Sequence, residues 1–257
     1  MRNRLLRDGY FILAACFGAL RTLQIEPWDD SVDAFAYWAT RGGDLYAGAA
    51  AGQIGAYLYS PAFAQALAPM MLLPWPVFAG LFTALNFAVL WWLAGRFALP
   101  LLLFLPIPLE IVSGNVHLLI AAAIVAGFRW APAWAFVILT KVTPGIGLVW
   151  FLARREWRSL VLALGATFAI VSLSFVLDRA SWESWLALLI RDAGSSAAGG
   201  PSVTPGWFVP VPLAVRLVVA AAVIAFAART DRAWLLPVGV TLALPILWLN
   251  GLAILAA

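Results

Sequence analysis

Cysteine and histidine are all but missing from this sequence. Its 257 residues hold one cysteine, Cys16, and one histidine, His117. A single thiol forms no disulfide within its own chain, and neither a Cys-based nor a His-rich metal site can be assembled. Charge is scarce as well: 11% of residues are charged, against 64% hydrophobic. Soluble domains are about half apolar and about a quarter charged, which excludes that class and leaves a polytopic membrane protein. The formal charge of +4 is not a nucleic-acid footprint, because basic residues in a membrane protein chiefly mark cytoplasmic loops. No nucleic acid is expected as a partner. An Asp-x-Asp nucleotide-sugar site on a cytosolic Rossmann domain is also lacking, and no internal repeat or appended soluble domain is visible.

What remains is apolar helix. A helix crosses the ~30 Å hydrocarbon layer with about 20 apolar residues. The sequence predicts an all-α, polytopic integral membrane protein of about nine spanning segments, short hairpin spans included. Residues 1–257 form a single transmembrane domain, with residues 1–8 cytoplasmic and external loops at 24–76 and 178–210. Spans are expected at Gly9 to Leu23, Val77 to Ala94, Leu160 to Leu177, Val211 to Ala228 and Leu235 to Ala257. The first reads as an uncleaved span, since no small-x-small cleavage site precedes the polar loop.

Phe97 to Val112 and Val116 to Phe128 are short and read as a hairpin tipped by Ser113-Gly114-Asn115. Ala131 to Arg154 reads as two half-spans meeting at Lys141-Val142-Thr143-Pro144, with Pro144 starting the second half. The first external loop carries interfacial helices: one after Ser31 as its cap and ended by Gly42-Gly43, and one from Tyr57 to about Leu73. This topology puts ten of the sixteen basic residues inside and nine of the twelve acids outside.

Few polar residues interrupt the apolar background. Asp29, Asp30 and Asp33 lie within five residues; Asp30 and Asp33 share one helix face, beside Tyr37. They are either solvating charges of an external loop or, at Asp33, a partly desolvated general base for a sugar hydroxyl. His117 is either a helix-start histidine satisfied by backbone or a phosphate donor, with Asn115 beside it and a helix N-terminus that attracts anions. Lys141 interrupts an apolar run, where a lysine costs several kcal/mol unless it snorkels or has a functional partner. Arg216 is a second cation at similar depth. One carboxylate and several cations at one membrane face suit a lipid-phosphate-linked sugar donor. A transporter or lipid flippase using the same cavity, or a non-catalytic relative, is the alternative.

Asp33-x-x-x-Tyr37, Gly43-Asp-Leu-Tyr46, Tyr59-Ser-Pro61 with Pro74 beyond, Gly114-Asn115, Lys141-x-x-Pro144 and Arg154-Arg-Glu-Trp157-Arg follow one another in that order. The series resembles the integral-membrane glycosyltransferases of family 87, the polyprenyl-phosphate-mannose-dependent mannosyltransferases of the GT-C superfamily, in a shortened form. The resemblance implies a GT-C fold and transfer of a hexose, mannose first, from a polyprenyl-phosphate carrier to a lipid or glycan acceptor. It implies that Asp33 is the catalytic aspartate of the first loop. The expected donor-phosphate contacts are Lys141, His117 and Arg216, and the expected substrate contacts Asp30, Tyr37, Asn115 and Tyr59. Membrane lipids are the surrounding partner, and the bacterial inner membrane, with an external active site, is the expected location. No cofactor is expected, and a divalent metal is left open.

Overall fold

The computed structural model describes residues 2–23, 31–40, 44–49, 55–196 and 211–257. Among these residues the chain is helical, with no strand. Two long helices, α1 (Arg2–Thr22) and α4 (Trp75–Ala94), lie side by side. Gly80 permits the approach, since a Cβ there would fall 2.6 Å from the Thr22 methyl. Tyr10, sealed from solvent, donates to the Phe87 carbonyl at 2.6 Å. Between them in sequence come α2 (Val32–Ala39) and α3 (Pro61–Met71), the latter with proline in its first turn, where no donor is needed. These are the two helices expected in the first loop. Gly42 and Gly43, the expected stop of α2, lie outside the described residues.

A short α5 (Ala98–Leu101) continues α4, and the chain then turns into α6 (Pro106–Ser113). α6 and α7 (His117–Gly127) meet at 109°. The bend rests on Gly114, left-handed at φ 67, and a Cβ on it would lie 2.5 Å from that of Ala34. Helix α2 therefore docks directly on the hairpin tip. α8 (Trp134–Thr140) ends at Lys141, which is extended (φ −142, ψ 113). A 3-10 turn at Thr143–Leu148 and α9 (Val149–Arg154) follow. The two halves face each other across the break: a Cβ on Gly145 would touch Ile138, one on Gly147 would enter Trp134, and Trp134 meets Phe151 edge-on at 6.2 Å. The chain doubles back at Lys141.

α10 (Trp157–Leu177), α11 (Arg179–Ser196), α12 (Leu213–Arg229) and α13 (Leu236–Leu242) complete the helices, before a 3-10 stretch at Leu249–Ala256. In α11, Trp182, Trp185 and Leu188 are buried while Leu186 and Ile190 are exposed. α10 buries only Ala163 and Ser174 and leaves Phe168, Leu173, Val176 and Leu177 bare. Such a face suits lipid, not water. Arg154 reaches Asp231 at 2.7 Å and the Ala228 carbonyl at 3.1 Å, tying α9 to the end of α12 among the arginines of residues 154–158 and 229–232.

The segment count differs from expectation. Trp75–Leu101 and Trp157–Leu177 are long and apolar enough to cross a membrane, and the bent α6–α7 pair makes a third if it is one span. Among the described residues about nine spans are not found. Phe97 to Val112 is broken between Pro100 and Pro106, and Leu235 to Ala257 stops at Leu242, ahead of Pro245. Proline lacks the N–H a continuing helix needs, so both runs yield short pieces. α1 starts at Arg2 rather than Gly9, and Arg4, Arg7 and Asp8 in its first turns remove it from the apolar class. The chain is a helical membrane protein built largely of short, broken segments.

Candidate active site at the hairpin tips

Four pieces of chain converge where the two hairpins turn. α2 docks through Ala34 on Gly114. The loop before α3 is pinned by Ser60 N–H to the Leu139 carbonyl at 3.3 Å and by Trp185, which donates to Leu58 O at 3.2 Å. Tyr46 donates to Tyr59 O at 2.7 Å, and Tyr57 to Ser60 O at 3.0 Å, fixing that loop from both sides. Arg21 of α1 reaches both the Ser31 hydroxyl and the Val112 carbonyl, binding α1, α2 and α6 together. Ser31 holds the N-cap position as expected, but its hydroxyl makes no cap bond to the helix.

Asp33 is half-buried in the first turn of α2. Burial pushes its carboxyl above the ordinary value of 3.8; the Asn115 amide and the Lys141 charge oppose that shift, and Glu110 adds to it. Behind it runs a chain of hydroxyls. Tyr37 and Tyr59 share a hydrogen bond of 2.9 Å, and Tyr59 reaches Asn115 Oδ1 at 3.3 Å. Burial, the partner phenol and the nearby Asp33 raise the Tyr37 pKa, and burial raises that of Tyr59, so both stay protonated. With Tyr59 donating to Asn115, the open slot runs from Tyr37 to Tyr59. Asn115 Oδ1 also takes its neighbour Val116 N–H at 2.7 Å, which leaves the amide N–H groups for Asp33. Lys141 lies over the Tyr59 ring at 5.5 Å, within cation–π range. It is the only lysine in the sequence.

Asp33, Tyr37, Tyr59, Asn115 and Lys141 are thus brought together from four separate stretches. Tyr37, Tyr59 and Asn115 were expected to touch substrate. They are at most 6% exposed and are hydrogen-bonded to one another in the chain Tyr37–Tyr59–Asn115. Asp30 lies outside the described residues.

The other two expected cations are engaged elsewhere. His117 is 1% exposed; its Nδ1 faces Glu110 Oε2 at 2.9 Å, and its main-chain N–H meets Oε1 at 2.5 Å. Glu110 occupies the anion position at the N-terminus of α7 that a phosphate was expected to take. Arg216 binds the carbonyls of Val211, Leu242, Leu244 and Pro245 at 2.6–2.9 Å. It satisfies the carbonyls freed where α13 stops.

Sequence reasoning missed three residues here: Glu110, Asn250 and Arg21. Asn250 donates to Glu110 at 3.1 Å and to the Ser113 hydroxyl at 3.4 Å, bringing the C-terminal 3-10 stretch to the first hairpin. An acid inside the apolar run Phe97 to Val112 was the available signal for Glu110. Among the described residues no three His, Cys, Asp or Glu side chains gather as metal ligands would. Two apolar grooves flank α4, against α1 and α7, and none of these site residues lines them.

The fold and site define an integral membrane protein with a carboxylate and a lysine held at the tips of broken helices. Residues 57–254 match the profile of glycosyltransferase family 87, well over half of the chain, and the chain belongs to that family. It is a membrane glycosyltransferase by family, with a sugar donor and an acceptor as its substrates. No curated protein and no solved structure matches it. The matched span starts at Tyr57, so Asp33 lies ahead of it and its role rests on geometry.

Proposed function

We propose that the chain moves a hexose, mannose first among candidates, from a polyprenyl-phosphate carrier to a lipid or glycan acceptor, within a GT-C fold. The observation that supports it is the gathering of Asp33 and Lys141 around one hydrogen-bonded group: Lys141 lies over the Tyr59 ring at 5.5 Å, Tyr59 bonds Asn115 at 3.3 Å, and the Asn115 amide faces Asp33. Asp33 takes the proton of the acceptor hydroxyl, and that oxygen attacks the anomeric carbon. The bond from that carbon to the phosphate oxygen breaks, and the carrier leaves as a phosphate monoester with one more negative charge. Lys141 stands where a cation offsets that charge. Among the described residues no carbonyl or carboxylate binds the Lys141 ammonium, whereas His117 faces Glu110 and Arg216 binds four carbonyls.

The charge asymmetry of the loops supports a cytoplasmic N-terminus and an external site; the inner membrane of a bacterium is the location this reading takes. The test is to incubate purified protein with polyprenyl-phosphate hexoses, radiolabelled in the sugar, and a membrane lipid extract. Label is expected to pass from carrier to a new product, and nucleotide sugars are expected to give none. Label that stays on the carrier with every hexose refutes this reading.

A further inference from the structure

The chemistry above leaves one sealed acid unassigned. Glu110 has no exposed side-chain surface and sits four residues before Gly114. A carboxylate removed from water is unfavourable unless its lone pairs are filled. Four N–H groups fill them. His117 N (2.5 Å) and Leu118 N (3.4 Å) meet one oxygen, and His117 Nδ1 (2.9 Å) and Asn250 Nδ2 (3.1 Å) meet the other. The main-chain carbonyl of the same residue takes Gly114 N at 3.0 Å, Asn115 N at 3.3 Å and the Ser113 hydroxyl at 3.3 Å. Glu110 therefore grips both sides of the turn that presents Asn115.

Capping α7 alone would need only the two main-chain donors. The further bonds fix a side chain. With a carboxylate at Nδ1, that nitrogen carries the proton of His117. Its other nitrogen, Nε2, is buried and has no hydrogen-bond partner among the described residues.

We propose that Glu110 is a positioning residue of the transfer reaction. It fixes the first hairpin tip and the Nδ1-protonated form of His117, and through the tip it sets Asn115 against Asp33. The inference rests on the reading of Asp33 as base, and its test separates the two.

Glu110→Gln keeps the shape but sets its amide NH2 against donors, either His117 Nδ1–H and the Asn250 amide together or the main-chain N–H groups of His117 and Leu118. His117 can then move its proton to Nε2. Because the chain has one histidine, full-length protein labelled with 15N-histidine reports a single imidazole. The unaltered protein is expected to carry a proton on Nδ1, and Glu110→Gln to show Nδ1 bare in part or all of its molecules. In the transfer assay Glu110→Gln is expected to lower kcat about tenfold or more with donor KM within about twofold, the mark of misplaced machinery rather than lost binding. Asn250→Ala removes one donor from a separate element and serves if Glu110→Gln does not fold. It is expected to lower kcat about threefold, again with KM held. Glu183→Gln, an exposed acid paired with Arg179 at 2.7 Å, is the control that leaves both constants unchanged.

No transfer by the unaltered protein overturns the function above, and the histidine spectrum then decides the Glu110–His117 arrangement by itself. A bare Nδ1 in the unaltered protein overturns the positioning role. So does normal kcat in both variants of a protein that transfers.

Discussion

Asp33 stands among groups that pull its ionisation in opposite directions. Burial raises its pKa and the Asn115 amide is the strongest opposing contact. A base works only when ionised, so activity is lost as pH falls through this raised value. The acid limb of kcat/KM is therefore expected above pH 3.8, the ordinary value for the group. Asn115→Ala removes a donor that favours the charged form and should move that limb to higher pH. A pH–rate profile checks it; an unmoved limb would mean that Asn115 does not act on the base.

The residues easiest to find in the sequence were those whose chemistry clashed with their surroundings. Asp33 and Lys141 stood out in that way, and the structure brings them together. His117 and Arg216 stood out too, but an unusual residue does not name its partner. One faces Glu110 from the preceding helix, and the other faces carbonyls 26 to 29 residues further on. The hydrogen bond between Tyr37 and Tyr59 was not legible, because nothing in a sequence pairs two hydroxyls 22 residues apart.

At the scale of elements, the docking of α2 on the first hairpin decides whether a site exists. Gly114 is left-handed and sits against Ala34, so Gly114→Ala meets both backbone strain and a clash. The loss of stability should be about 2–4 kcal/mol, most of it from overpacking, with transfer abolished or nearly so. Denaturant titration and the transfer assay check it. Adding Ala34→Gly should restore the packing part and leave the strain. Full stability of Gly114→Ala alone would mean that α2 does not rest there.

The two hairpin breaks were legible, because Pro, Gly and a lone lysine interrupt apolar runs at those places. The breaks after Pro100 and before Pro245 were legible in principle but were read through as continuous spans. Hydropathy alone does not register a missing N–H. How the last piece returns to place Asn250 on the first hairpin depends on contacts distant in sequence, which no local pattern encodes.

At the scale of the whole molecule, the apolar face of α10 and the cluster of arginines joined by α9 and α12 set how the chain sits in a bilayer. The proposed orientation puts α11 outside and the turn after α12 inside. In a Cys16→Ala background, Glu183→Cys should react with an impermeant maleimide added to intact spheroplasts, while Thr230→Cys should react only after lysis. Both positions are exposed, so reactivity reports side and not burial. The reverse pattern would invert the topology and place the site on the cytoplasmic face.

The central claim is that Asp33 does chemistry while Lys141 holds the donor, and one paired measurement addresses it. Donor affinity and single-turnover transfer are measured side by side for Asp33→Asn and Lys141→Met. Asp33→Asn keeps size and hydrogen bonding but accepts no proton, so turnover should fall by roughly 10²-fold or more with donor affinity nearly unchanged. Lys141→Met loses one charge-assisted contact of about 1.5–3 kcal/mol, which should weaken donor binding roughly ten- to a hundredfold. An Asp33→Asn protein that transfers sugar at the unaltered rate would contradict the assignment and leave Asp33 as a loop charge.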